Sequence, residues 1–340
     1  MKDNNEYFRL IGVELSPYTR KLRSIFRYTR TQHVWLCRFP QFFEETKNLK
    51  PGLMPVVQYP DKSFHFDSTR IALNTENWVL KKRSIYPFDN ALRFLALVIE
   101  DFADEWVSKL IFHYRFTYEK NRQFGPKWVV DDTYVNLDFS ELQERHSSFL
   151  ERQISRMSLV GCTPENTPIF EMHYPRLLQT FESFVQNEKF LFGTRPSIAD
   201  FGIQGQLSVL AEDLTTGSQM RKEAPRTIFW LSRLEDASGV EGQWHKKNEL
   251  SDCFYNLTKM ISDVYFPYLN GNALAINNQC ESFTVKIDGF DYSQKTFGYH
   301  LKCKKFLMEE YAKLNSREKR CVLEITEGMK FVERLNRVSF

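Results

Sequence analysis

The 340 residues carry 46 lysines and arginines against 43 aspartates and glutamates, a formal net charge of +3 with the two signs interspersed. That balance excludes the broad basic face of a nucleic-acid binder, and no apolar run is long enough to cross a bilayer. Six scattered cysteines form no CxxC pair and no Cys/His set at zinc spacing, which suits reduced thiols and predicts a cytoplasmic protein without a metal. The polar opening MKDNNEYFRL lacks the apolar centre of a signal peptide. An apolar fraction of 42% over this length predicts two or three full cores.

Residues 7–15 alternate and then run apolar, as a buried strand does, and lead into Ser16-Pro17-Tyr18-Thr19. Serine then proline at a strand end reads as an N-cap with proline at the first helical position. It puts a hydroxyl where backbone N–H groups and the helix dipole favour negative charge, which is also how thiolates are held near neutral pH. A helix follows over 17–30, with Leu22, Ile25, Phe26 and Thr29 on one side and the basic run Arg20 to Arg30 on a solvated face. His33 to Phe39 is a second strand and Gln41 to Asn48 a short polar helix. Lys50 to Pro55 turns into a hairpin over Val56 to Phe66, closed by Pro60-Asp61-Lys62-Ser63. Asp67-Ser68-Thr69 caps a helix to Leu80, so the order is βαβ(α)ββα.

Beyond Lys81-Lys82-Arg83 the pattern is helical: 89–119, about 139–157, 170–188, the helix behind Ser197 to about Leu210, 226–236 and 249–270. Ser197-Ile198-Ala199-Asp200 has the form of a capping box. The aromatic stretch Phe112 to Asp132 reads as a long connection, which either walls a pocket or packs on the C-terminal segment. The last segment predicts a hairpin around Asp288-Gly289, then helices over about 299–314 and 319–335. His113, His146, His173 and His245 read as packing or surface residues, and the pairs Asp104-Glu105 and Asp131-Asp132 as solvated. No GxSxG, HExxH, Walker or dinucleotide glycine pattern is present.

Three features now align. Ser16-Pro17-Tyr18-Thr19 stands where glutaredoxins carry Cys-Pro-Tyr-Cys, with both sulfurs replaced by hydroxyls. Met54-Pro55 stands where a thioredoxin-like fold places its cis-proline, and Asp67-Ser68 where glutathione transferases carry an acidic residue and a serine. With an all-helical segment behind them, the chain resembles a cytosolic glutathione transferase, and FLFGTRPSIADFG is similar to the structural box of that family's helical domain.

The resemblance implies an α/β thioredoxin-like domain over 1–83, an all-α domain with a second-substrate cleft over 89–272, and an extra α+β C-terminal extension over 273–340. It implies glutathione as co-substrate, a small hydrophobic electrophile as partner, and a homodimer. The catalytic hydroxyl is then Ser16, donating to the glutathione sulfur. Tyr18, Met54, Pro55, Asp67 and Ser68 bind glutathione: the Met54 backbone pairs with the cysteinyl part in the manner of an added strand. Ser68 holds the γ-glutamyl carboxylate and Asp67 the ammonium. Phe112, Tyr114 and Phe116 wall the second-substrate pocket. A hydroxyl at position 16 cannot form a mixed disulfide, so thiol-transferase chemistry is disfavoured against conjugation, dehalogenation, isomerisation or ether cleavage. The alternatives are a non-catalytic ligand-binding or scaffold protein of the same fold, and a partner-binding role for the extension.

Overall fold

The computed structural model describes residues 7–37, 40–50, 52–134, 136–326 and 328–337. The alternating N-terminal stretch forms β1 (Phe8–Gly12), and α1 (Pro17–Thr29) carries the chain over to β2 (His33–Cys37). There follow α2 (Pro40–Thr46), β3 (Val56–Gln58), β4 (Phe64–His65) and α3 (Ser68–Asn74). The strands stand in the order β2-β1-β3-β4, with β1 and β2 parallel and β3 and β4 antiparallel to their neighbours. This is the thioredoxin-like arrangement. The expected end of the second strand at Phe39 and the turn residue Pro51 lie outside the described residues, as does the opening hexapeptide. The helix expected to reach Leu80 stops at Asn74 and passes into a 3-10 turn at Thr75–Asn77.

Register decides where the site is. Ile11 pairs with Val56 and Val57 with His65, so the segments before β3 and after β4 lie at the end of the sheet where the chain leaves β1. Leu10, Leu22, Ile25, Phe26, Val57 and Ile71 fill the core between sheet and helices. Gly12 lets Thr19 close onto the strand: a Cβ there would lie 2.4 Å from Thr19 Oγ1.

The helical segment begins with α4 (Asn90–Phe102) and α5 (Ser108–Thr117), joined into one rod by a π turn at Ala103–Val107. Next come α6 (Glu119–Thr133), α7 (Phe139–Ile154), α8 (Thr167–Asn187), α9 (Ile198–Glu212), α10 (Leu214–Glu223) and α11 (Pro225–Glu235). A second rod is made of α12 (Asp252–Met260), a π turn at Ile261–Tyr265 and α13 (Phe266–Asn277). The stretch expected as a connection is instead the end of α5 and all of α6, helical through Pro126. Tertiary contacts override propensity there: Asn121 donates to the Tyr114 carbonyl at 2.6 Å, and the Arg115 side chain lies against Gly125. The short α10 was not expected either.

Residues 198–210 of α9 are all buried. At Gly205 a Cβ would meet the Pro17 carbonyl at 2.5 Å, so the absence of a side chain lets α9 reach the start of α1. The capping box that starts α9 is complete: Asp200 accepts from Ser197 N and Leu191 N at 2.8 Å each, and from the Ser197 hydroxyl at 2.6 Å.

The C-terminal segment forms the hairpin β5 (Ser282–Ile287) and β6 (Phe290–Lys295), then α14 (Gly298–Lys313), α15 (Ser316–Ile325) and α16 (Met329–Asn336). Asp288 and Gly289 both have positive φ, 47° and 87°, as a tight hairpin turn requires. The last expected helix is divided at Gly328, whose φ is 65°. α14 and α15 cover the outer side of α4: Tyr311 packs on Phe94 at 5.4 Å and Asn90 donates to Glu318 at 2.8 Å. Residues Phe94 to Phe102 of α4 are therefore buried on every face. Among the described residues no helix is long and apolar enough to cross a membrane.

Candidate functional site

Ser16 caps α1, its Oγ accepting from Thr19 N at 3.3 Å, and the residue is only 9% exposed. A hydroxyl that accepts one bond keeps its proton to donate elsewhere. Met54-Pro55 is cis, as the resemblance implies, with Pro55 buried and Met54 half-buried. Asp67 takes a positive φ of 77° and accepts from Arg70 N at 3.2 Å, while Ser68 is buried beside it. The sheet register places these three pieces together at one end of the sheet. Tyr18 turns toward the helical segment and donates to the Asp104 carbonyl at 2.9 Å. Burial, reinforced by the Glu105 and Asp104 charges, holds its phenol well above the usual range and keeps it protonated.

Next to this site, charged residues expected on solvated faces are engaged. Lys21, expected on a solvated face, has no exposed surface and donates to Asp104 Oδ2 at 2.6 Å, to the Glu100 carboxylate, and to Thr69 Oγ1 at 3.4 Å. Asp104, expected in solvent, is buried in the wall behind it, and Glu105 is largely covered beside it. Asp132 is likewise engaged, accepting from Glu14 N at 2.8 Å. Lys21 and Asp104 leave water because each is the other's counter-ion, whereas Glu105 and Asp132 are met by a neutral imidazole and a backbone N–H; in every case the partner comes from a distant element. Thr69 donates to Glu100 Oε1 at 2.6 Å and Gln206 reaches Asp104 Oδ1 at 3.3 Å, so α1, α3, α4 and α9 meet in one polar knot. Burial alone pulls the Lys21 pKa down, but Asp104 and Glu100 outweigh it and hold the ammonium above its usual range. Burial pushes the Glu100 carboxyl up to about 6 despite Lys21. The only sequence signal was a lysine and a Glu-x-x-x-Asp spacing, each ordinary alone.

The knot continues toward the extension. Asp101 accepts from the Tyr265 hydroxyl at 2.6 Å, and Glu105 bonds His300 Nε2 at 2.7 Å, whose Nδ1 faces the Tyr268 hydroxyl. Burial pushes Glu105 up to about 8 and holds His300 far below the usual histidine range. The four acids Glu100, Asp101, Asp104 and Glu105 issue from the end of α4 and its π turn, a departure from regular helix that recurs at functional sites.

Phe112, Tyr114 and Phe116 sit elsewhere in the packing. Tyr114 packs at a tilt against Tyr174 at 5.3 Å, and buried Phe116 lies between Phe112 at 5.3 Å and Phe149 at 6.5 Å. They are not among the residues around the small cavity beside Asp67, whose walls are α3, the end of α4 and α14.

The sheet order, the residues at its end and the helical segment behind it define a thioredoxin-like fold joined to a helical bundle. No protein-family model and no curated protein matches the sequence. Among solved structures, a glutathione S-transferase from Rhodospirillum rubrum F11 is similar at 16% identity over 74% of this chain and 91% of its own, TM-score 0.41. A beta-etherase from Sphingobium sp. strain SYK-6 is similar at 17% identity over 67% and 94%, TM-score 0.46. A glutathione S-transferase from Methylobacillus flagellatus with glutathione bound is similar at 17% identity over 74% and 98%, TM-score 0.40. At these values it is the strand order and register of the chain's own sheet that define its fold.

Proposed function

We propose that the chain binds glutathione at the end of its sheet and activates the thiol for attack on a small apolar electrophile. The observation that supports this reading is the convergence of Ser16, Met54-Pro55 and Asp67-Ser68, all three half-buried or buried, at one end of β1, β3 and β4. In this reading the Ser16 hydroxyl, whose oxygen accepts from Thr19 N, donates its proton to the sulfur and favours the thiolate. Met54 lies along the cysteinyl part, and Asp67 with Ser68 faces the γ-glutamyl end. The test is ultraviolet titration of bound glutathione thiol. Wild type lowers its pKa from about 8.5 to below about 7.5, and Ser16→Ala returns it toward the free value.

A second reading, a binder without catalysis, is favoured by one contact: the Tyr18 hydroxyl is committed to the Asp104 carbonyl, which takes one hydroxyl of the SPYT motif out of use. Glutathione binding with an unshifted thiol pKa selects that reading.

A further inference from the structure

Beside Asp67 a cavity of about 90 Å³ opens between α3, the end of α4 and α14. Pockets that take whole ligands run from roughly 300 Å³ upward, so this space admits an end group. Its walls bear both signs of charge: Asp67 faces Arg70 and Lys302, with the Asp101 and Glu105 carboxyls, both pushed up by burial, beside them. Asp101 is already engaged by Tyr265, at 2.6 Å. Arg70 lies over the Phe306 ring at 5.8 Å, and neither it nor Lys302 has a carboxylate within ion-pair distance among the described residues. A purely anionic group would meet the Asp67 carboxylate and a purely cationic one the two cations. A group with ammonium and carboxylate on one carbon satisfies both sides.

α14 is a fixed wall of this cavity. The Asn272 amide clamps Phe297 at its start, accepting from its N at 2.8 Å and donating to its carbonyl at 3.1 Å. One turn on, His300 is wedged between Tyr268 and Glu105, the latter at 2.7 Å. Tyr311, near the other end, packs on Phe94 of α4. Such anchoring at both ends sets Lys302 over the cavity as part of the framework.

We propose that the C-terminal extension completes the ligand site within the same chain. Arg70 and Lys302 take the carboxylate, and Asp67 the ammonium, of an α-amino-acid end group. The inference rests on the glutathione reading of the neighbouring site, with that end group its γ-glutamyl head.

Calorimetry on the full chain tests it, using glutathione and cysteinylglycine, which lacks the head. Wild type prefers glutathione. Lys302 is exposed, so Lys302→Ala folds normally; it weakens glutathione about tenfold and leaves cysteinylglycine unchanged, and Lys302→Glu weakens glutathione further. Unchanged glutathione affinity in both variants, with Asp67→Ala weakened, removes the extension from the site while the glutathione reading stands. Tighter glutathione binding by either Lys302 variant shows α14 to obstruct the site and overturns the proposal. Equal wild-type affinity for the two thiols also overturns it. Binding of neither thiol sinks the glutathione reading and this inference together.

Discussion

Lys21 holds two carboxylates from the far side of a domain junction, with its ammonium and both acids out of water. Replacing it by methionine keeps the volume and leaves Glu100 and Asp104 without their cation. A loss of about 3–5 kcal/mol is expected by denaturant unfolding. The loss is greater near pH 7 than at about pH 5, because acid lets the stranded carboxyls take up protons. An equal loss at both pH values would show that Lys21 acts by packing alone.

Glu105 gives a separate pH signature. Its carboxyl titrates near 8 in the fold, against an ordinary value of 4.5, because burial outweighs the attraction of Lys109 and Lys21, with Glu100 and Asp67 adding repulsion. Asp101, Asp104, His300, Tyr299 and Cys303 also face it. The folded state thus keeps a proton that the unfolded chain releases, so stability falls as pH rises between those values. His300, held neutral by burial, acts in the opposite sense below its ordinary value of 6.5. Lys109, lowered to about 8 chiefly by burial, raises stability only above that value. Between about pH 6.5 and 8 the Glu105 share of that fall is roughly 2 kcal/mol, and Asp101, also raised by burial, acts in the same direction. Glu105→Gln, measured by chemical unfolding across that range, reduces the slope by that share.

At the scale of single elements, the two capped helices that flank the site differ in how deeply their caps are engaged. Ser16→Ala removes one cap bond from α1 and costs about 1 kcal/mol, small enough for the thiol titration to be read on folded protein. Asp200 is different, since it serves Leu191 N, Ser197 N and the Ser197 hydroxyl in the buried centre of the molecule. Asp200→Ala strands those donors and is expected to cost about 3 kcal/mol or more, against about 1 to 2 for Ser197→Ala, measured by thermal or denaturant melts. Similar losses for the two would mean that the Leu191 bond contributes nothing.

At the scale of the molecule, the extension is packed into the helical body. β5 lies on α13 where Gly271 lets Val285 approach, Asn166 pairs with both N and O of Ser293, and α14 and α15 cover α4. Removing the chain beyond Asn278 would uncover the apolar outer face of α4, including Phe94. In calorimetry of the full chain the extension is expected to melt together with the helical body, and the shortened chain to melt lower and aggregate. A separate low-temperature transition, or a soluble shortened chain with the parent's melting point, would make the extension an independent module.

Local chemistry is legible in the sequence because it depends on neighbours a few residues away. The alternation over 7–15, the Ser16-Pro17 start, the Asp288-Gly289 turn and the Ser197-Asp200 box each specify their own element, and β1, α1, the hairpin and α9 stand where those signals put them. The thioredoxin-like order follows from that sequence of elements. What tertiary structure alone decided is which charges leave water. Lys21 meets Glu100 and Asp104 across 79 and 83 residues, and His300 meets Glu105 across 195. Each side chain has the composition of a solvated face. Its environment is set by a partner that only the packed fold brings within bonding distance, so no pattern along the chain marks it. The same holds for α6, which runs through Pro126 because Arg115 and Tyr114 support it from the preceding helix.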